Sequence, residues 1–432
     1  MRNGREWDRR SLLRGAAVLA GAAATAPLAG GAAPALADGG DADALFRAGE
    51  FERAGRAYEE MLKKDPENVH AARRRGYVAL LSNQFQDAEK YLRRAVELAP
   101  DDKEANHFLA DCYTRQDKFS LAVPRWRAAG EEGYATLFAA FRGEPYQIHG
   151  DVGRVPWRQL DPAPMLQASL NGGPPINLSF YTRVAQLGVS QKAAEDAGIR
   201  AVTEDKLEYE GRTMTIWSGI LDSFRLGGIE LRNIPVGWSD DDGPGIGDGL
   251  IGTWILYHFL TTVDYAGRSL ILRRRTPETA RAARAAAARS GAEPLPLWLA
   301  PEHLLFTRGS ITGAIGSGPR VVALNLGGTG EMAVSMPADT VERLRIRTDH
   351  DRPVEAFAGG QPVVSHPCYP EEVRLGSAAA HDVYCYADDR PALGREGFDV
   401  HASFSHSFFK PYHVTLDFTG MTAYVARGRA TP

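Results

Sequence analysis

Phe224-Arg225-Leu226-Gly227-Gly228-Ile229-Glu230-Leu231-Arg232-Asn233-Ile234-Pro235-Val236 reads as a hairpin running into a strand. Its Arg225-Leu226-Gly227 returns as Arg374-Leu375-Gly376, at an offset of 149. Thr262-Val263-Asp264-Tyr265 with Gly267 returns as Thr415-Leu416-Asp417-Phe418 with Gly420, at an offset of 153. Val189-Ser190 matches Val334-Ser335 at 145. Such stepwise growth is expected of tandem copies, because loops gain residues and strands do not. Residues 160–275 and 299–428 are therefore expected to be two β-rich copies. Between them, 276–298 is a linker whose Ala/Arg run, Ala280 to Ala288, predicts a solvated helix.

Upstream the texture is helical. Ala54, Ala88 and Ala122 recur every 34 residues, as do Phe51, Phe85 and Phe119, and Pro66 and Pro100 keep the same step. Each unit reads as helix, turn, helix, proline. A small Ala lets two helices approach, the aromatic fills the gap, and Pro ends the second helix. Period and pattern resemble the tetratricopeptide repeat, giving three helix pairs over 38–130. Residues 131–147 then supply a capping helix and linker. Two readings of the repeats stand: a concave groove for a protein partner, or a prop against the following domain.

The first 37 residues read as an address. Arg9-Arg10 precede a small, weakly apolar stretch that ends at Ala35-Leu36-Ala37, a small-x-small cleavage pattern. This resembles a twin-arginine export signal, which implies a mature start at Asp38 and an extracytoplasmic or secreted protein. No run of about 20 apolar residues predicts a membrane span.

The first β copy continues with Gly247-Asp248-Gly249-Leu250-Ile251-Gly252-Thr253-Trp254, then Thr262-Val263-Asp264-Tyr265 and Ser269-Leu270-Ile271-Leu272. This succession resembles the bacterial retropepsin-like aspartic proteases. It is weaker in the second copy, where Ala402-Ser403-Phe404-Ser405 replaces the Gly-x-x-Gly. The resemblance implies two mainly-β lobes joined as one body, so the fold class is multidomain α plus β. It also implies two Asp-Thr-Gly loops facing each other. Counting back from Ser190 puts the first at Tyr181-Thr182-Arg183. Counting back from Ser335 puts the second at Leu326-Gly327-Gly328 or, shifted by one, at Asn325-Leu326-Gly327.

Neither loop has the acid. Aspartic proteolysis needs two carboxylates that share one proton and activate a water. Asp-Thr-Gly occurs nowhere in the chain, and Arg183 replaces the glycine that lets two loops pack closely. Asp339-Thr340 and Asp417-Phe418-Thr419-Gly420 sit in other contexts and are decoys.

Other constellations are poorer. Asp240-Asp241-Asp242 reads as a solvated turn and lacks calcium-loop spacing. His366, His381, His401, His406 and His413 cluster late without zinc-ligand spacing. Cys368 and Cys385 are a candidate disulfide in an exported chain, and Cys112 reads as a buried apolar residue. Lys+Arg number 50 against Asp+Glu 54, and removing 1–37 leaves 45 against 52, so a nucleic-acid binder is not expected. No phosphate loop or dinucleotide fingerprint calls for a cofactor.

The expected function is an exported, non-proteolytic relative of aspartic proteases. Its interlobe cleft binds an extended peptide or elongated small molecule, with room for a repurposed non-hydrolytic enzyme. Candidate binding residues are Tyr181, Arg183, Asn325, Asp248 and His406. The alternative is an active extracytoplasmic aspartic endopeptidase.

Overall fold

The computed structural model describes residues 40–209, 212–240, 247–328, 331–358, 361–388, 394 and 396–428. The export segment lies outside them, as do Asp241 and Asp242.

Three helix pairs open the described chain. They are α1 (Gly40–Arg47) with α2 (Phe51–Lys64), α3 (Val69–Leu81) with α4 (Phe85–Leu98), and α5 (Lys103–Thr114) with α6 (Phe119–Ala129). Ala54, Ala88 and Ala122 are fully buried at the crossings. Asn68 and Asp102 cap α3 and α5, accepting from the Ala71 and Ala105 amides at 2.9 and 3.0 Å. Phe51 and Phe119 are buried and Phe85 is half-buried.

The next helix, α7 (Glu132–Ala139), lies where a capping helix was expected and is buried against the β region. Leu137 and Phe138 are buried, and Tyr134 and Phe138 lie 6.2 and 6.1 Å from Trp254. Apolar side chains on more than one face make α7 a joint between repeats and β region.

The repeat face formed by α1, α3 and α5 is met by the chain itself. Phe398 packs between Phe46 and Phe51, with ring centroids 6.0 and 5.0 Å away. The Tyr77 hydroxyl donates to the Glu396 carbonyl at 3.2 Å, and the Asp399 amide donates to the Arg47 carbonyl at 2.8 Å. Arg115, at the end of α5, donates to the carbonyls of Leu299 and Ala300 at 2.9 and 3.1 Å. Of the two readings of the repeats, the prop is realised on this face.

The rest is mainly β, in sheets of eight, six and eleven strands among the described residues. The six-stranded sheet takes Val152–Pro156, Ser269–Arg274 and Phe259–Asp264 from one side of the chain. It takes Tyr412–Asp417, Thr422–Arg427 and Pro294–Pro296 from the other. At its middle the matched residues Thr262 and Thr415 are direct partners, their hydroxyls 3.0 Å apart. An approximate two-fold axis therefore passes between them.

The outer sheets repeat one pairing pattern. Ile176–Phe180 runs parallel to Gly249–Ile251, as Arg320–Asn325 does to Ser403–Ser405. Leu187–Val189 is antiparallel to Gly249–Ile251, as Val334–Pro337 is to Ser403–Ser405. Ser190 and Pro337 occupy the N-cap positions of the helices that follow, so the matched offset there is 147. Val189-Ser190 against Val334-Ser335 was thus out of register by two, because the second copy carries a longer loop before its helix. Pairing also begins at Gln147, ahead of 160, and Pro294–Pro296 is already in a sheet. The Ala/Arg helix, Pro277–Arg289, buries Ala280 and Ala287 and is solvated only on its other sides.

Candidate functional site

Two loops meet where the outer sheets approach each other. One leaves Ile176–Phe180 as Tyr181-Thr182-Arg183, and the other leaves Arg320–Asn325 as Leu326-Gly327. Thr182 is fully buried. Its Oγ1 donates to the Leu324 carbonyl at 3.1 Å and accepts from the Leu326 amide at 2.8 Å. This two-way bond makes Leu326 the counterpart of Thr182, and hence Asn325 of Tyr181 and Gly327 of Arg183. The strand pairing agrees: Ser179 and Phe180 face Leu250 and Ile251 as Ala323 and Leu324 face Ser403 and Phe404. Leu326 is apolar and returns no such bond to the first loop. The Tyr265 hydroxyl donates to the Leu326 carbonyl instead.

Gly327 has no room for a side chain, since a Cβ would collide with the Phe180 carbonyl and the Tyr181 backbone. That contact brings Tyr181 and Asn325-Leu326-Gly327 together at the centre. The loops themselves carry no carboxylate. Arg183 is half-buried.

Around Asn325 lies a group that the sequence reading only partly anticipated. Ser405 ends the strand beside Asn325, and His406 starts the helix His406–Phe409. Asn325 Oδ1 and Ser405 Oγ are buried without hydrogen-bond partners, and the His406 ring is fully buried. Gly328 packs against Ser405 and Asn325. Asp161, from the opposite lobe, places Oδ1 3.7 Å from His406 Nε2 and 2.5 Å from Lys410 Nζ. Asp161, Ser405 and Lys410 were missed. Ser405 stood in the run that replaces Gly-x-x-Gly, whereas Asp161 and Lys410 left no pattern.

Asp248 is elsewhere. Its carboxylate accepts from the Asn177 amide and its own amide donates to the Asn177 carbonyl, both at 2.8 Å. Asn177 precedes Tyr181 by four extended residues, roughly 13 Å. Asp248 thus binds the strand Ile176–Phe180 near its start, away from the central loops where it was expected. Asp264 and Asp417 bind turn amides, at Gly267 and at Thr419 and Gly420.

Among the described residues no group of three or more His, Cys, Asp or Glu is placed to hold a metal ion. Cys368 and Cys385 are direct cross-strand partners, and both are buried free thiols. Burial pushes the Cys368 thiol up to about 12. No described helix is long and apolar enough to cross a membrane.

Comparison with known proteins identifies the first body. A tetratricopeptide repeat model matches residues 41–103 and 82–129, so this part of the chain consists of tetratricopeptide repeats. The solved structure of a mutant O-GlcNAc transferase from Thermobaculum terrenum is 22% identical over 22% of this chain and 18% of its own, with a TM-score of 0.21. The chain thus spans under a fifth of that protein's length. No curated protein matches the chain.

Proposed function

We propose that this is an exported, non-proteolytic relative of the retropepsin-like aspartic proteases, whose interlobe cleft holds an extended peptide or an elongated small molecule. The observation that carries the reading is the Thr182 bond to Leu324 and Leu326. It keeps two matched loops face to face while Tyr181 and Asn325 occupy the positions where the chemistry of that family needs two carboxylates. Phenol and amide can bind and orient a ligand, but they cannot share one proton and polarise a water. The framework is kept and the acid pair is not.

The repeats take part in two ways. Phe46 of α1 and Phe51 at the start of α2 grip Phe398 of the second lobe. A protein partner then docks on the outer groove between α2 and α4, lined by Leu62, Pro66, Tyr91 and Arg94.

Purified protein offered a mixed peptide library from about pH 3 to about pH 7 is expected to retain peptides without specific cleavage. Cleavage that survives removal of contaminating proteases, and stops with Tyr181→Phe, would establish the protease instead. Y181D combined with R183G restores one acid of the pair and is expected to stay inactive.

Export rests on Arg9-Arg10. Changing both to lysine is expected to hold the precursor inside the cell, with Ala37–Asp38 uncleaved. Normal processing of that variant would refute the address.

A further inference from the structure

One histidine is sealed into a joint of this molecule. His303 lies in the Pro301–His303 turn, where the lobes meet the repeats, and is 3% exposed. Its ring packs against Tyr257 at 4.8 Å and Trp254 at 5.9 Å, and neither ring nitrogen has a partner. Glu302 and His303 both hold positive φ, 60° and 56°, a conformation that persists only where the surroundings impose it. The adjacent carbonyls of Leu299 and Ala300 are held by Arg115.

An imidazolium has two N–H donors to satisfy and a charge to solvate. The seat of His303 provides for neither. His406, fully buried between the lobes, differs, because the Asp161 carboxylate lies 3.7 Å from its Nε2.

Two basic groups beside the His303 seat oppose a second positive charge. His303 faces Arg115, which is paired with Asp111 on α5. It also faces His258, which contacts Asp117 at 3.2 Å. Glu302 is its neighbour in the turn, and Tyr134 of α7 adds only a phenol.

We propose that His303 is an acid-sensitive seat, so that acidification frees the repeats from the lobes. Burial, reinforced by Arg115 and His258, holds His303 well below the ordinary imidazole value. An imidazole released to water takes up its proton near pH 6.5. The opened state therefore binds more protons, and the stability of the joint, complete above about pH 6.5, falls as the pH drops below it.

Small-angle scattering and circular dichroism of the whole protein, titrated between about pH 7 and about pH 4, test this. The wild type is expected to expand while keeping most of its helix and strand signal. In the variant His303→Leu the midpoint should move down by about one pH unit or more. Three results would overturn the proposal: a wild type that stays compact throughout, an unchanged midpoint in the variant, or expansion only together with loss of secondary structure. NMR titration of the wild-type imidazoles serves if the variant does not fold. The His303 ring should stay neutral until expansion begins, and its titrating near the ordinary value in the compact protein would equally refute the proposal.

Discussion

Arg115→Ala is expected to destabilise the folded chain by about 3–5 kcal/mol, because it strips the partner from a buried carboxylate. The Arg115 side chain has no solvent exposure and Asp111 has almost none. The guanidinium is bonded to Asp111 at 2.5 and 3.1 Å, to the Leu80 carbonyl at 3.0 Å, and to the Leu299 and Ala300 carbonyls. One side chain thus neutralises a charge, ties two repeats together, and fastens the repeats to the second lobe. Its loss also leaves carbonyl groups buried without donors. Arg115→Lys should recover only part of the loss, since an ammonium cannot reproduce the planar fork. Denaturant unfolding checks both variants, and a change within about 0.5 kcal/mol for alanine would mean that the joint does not depend on this residue.

Thr182→Val is expected to cost about 2–6 kcal/mol, the penalty for two orphaned backbone groups at roughly 1–3 kcal/mol each. Valine matches the shape, so no cavity contributes. What disappears is the donor to Leu324 and the acceptor for Leu326. Because Leu326 offers no reciprocal bond, little remains to replace it beyond the Tyr265 hydroxyl on the Leu326 carbonyl. Thr182→Ser keeps the hydroxyl and should stay close to wild type. If valine and serine behave alike in thermal unfolding, the interlobe bond is not what holds the loops.

The repeats were legible because their determinant is local. A helix crossing tolerates only a small side chain, so Ala54, Ala88 and Ala122 recur at one spacing whatever surrounds them. The β region was legible in part. Thr262 and Thr415, matched by sequence alone, turned out to face each other, since both lie in regular strands where insertions are not tolerated. Val189-Ser190 and Val334-Ser335 were mismatched because the loop before them carries no repeated residue, and a strand slipped by two still presents the same faces. Asp248 was expected among the central binding residues, yet parallel pairing puts it next to Asn177 at the far end of the strand.

The sequence by itself determined the three helix pairs, the tandem β copies, and the absence of paired acids from the loops at 181–183 and 325–327. Each of these is a matter of residue identity and periodicity. Only the tertiary structure decided which residues crowd those loops, that α7 is a buried joint, and that Phe398 fills the repeat face. Asp161 approaches His406 from 245 positions away, and Arg115 reaches Leu299 across 184. Contacts of that span leave no spacing to read, because they are set by how the sheets and helices pack and not by any local preference of the chain.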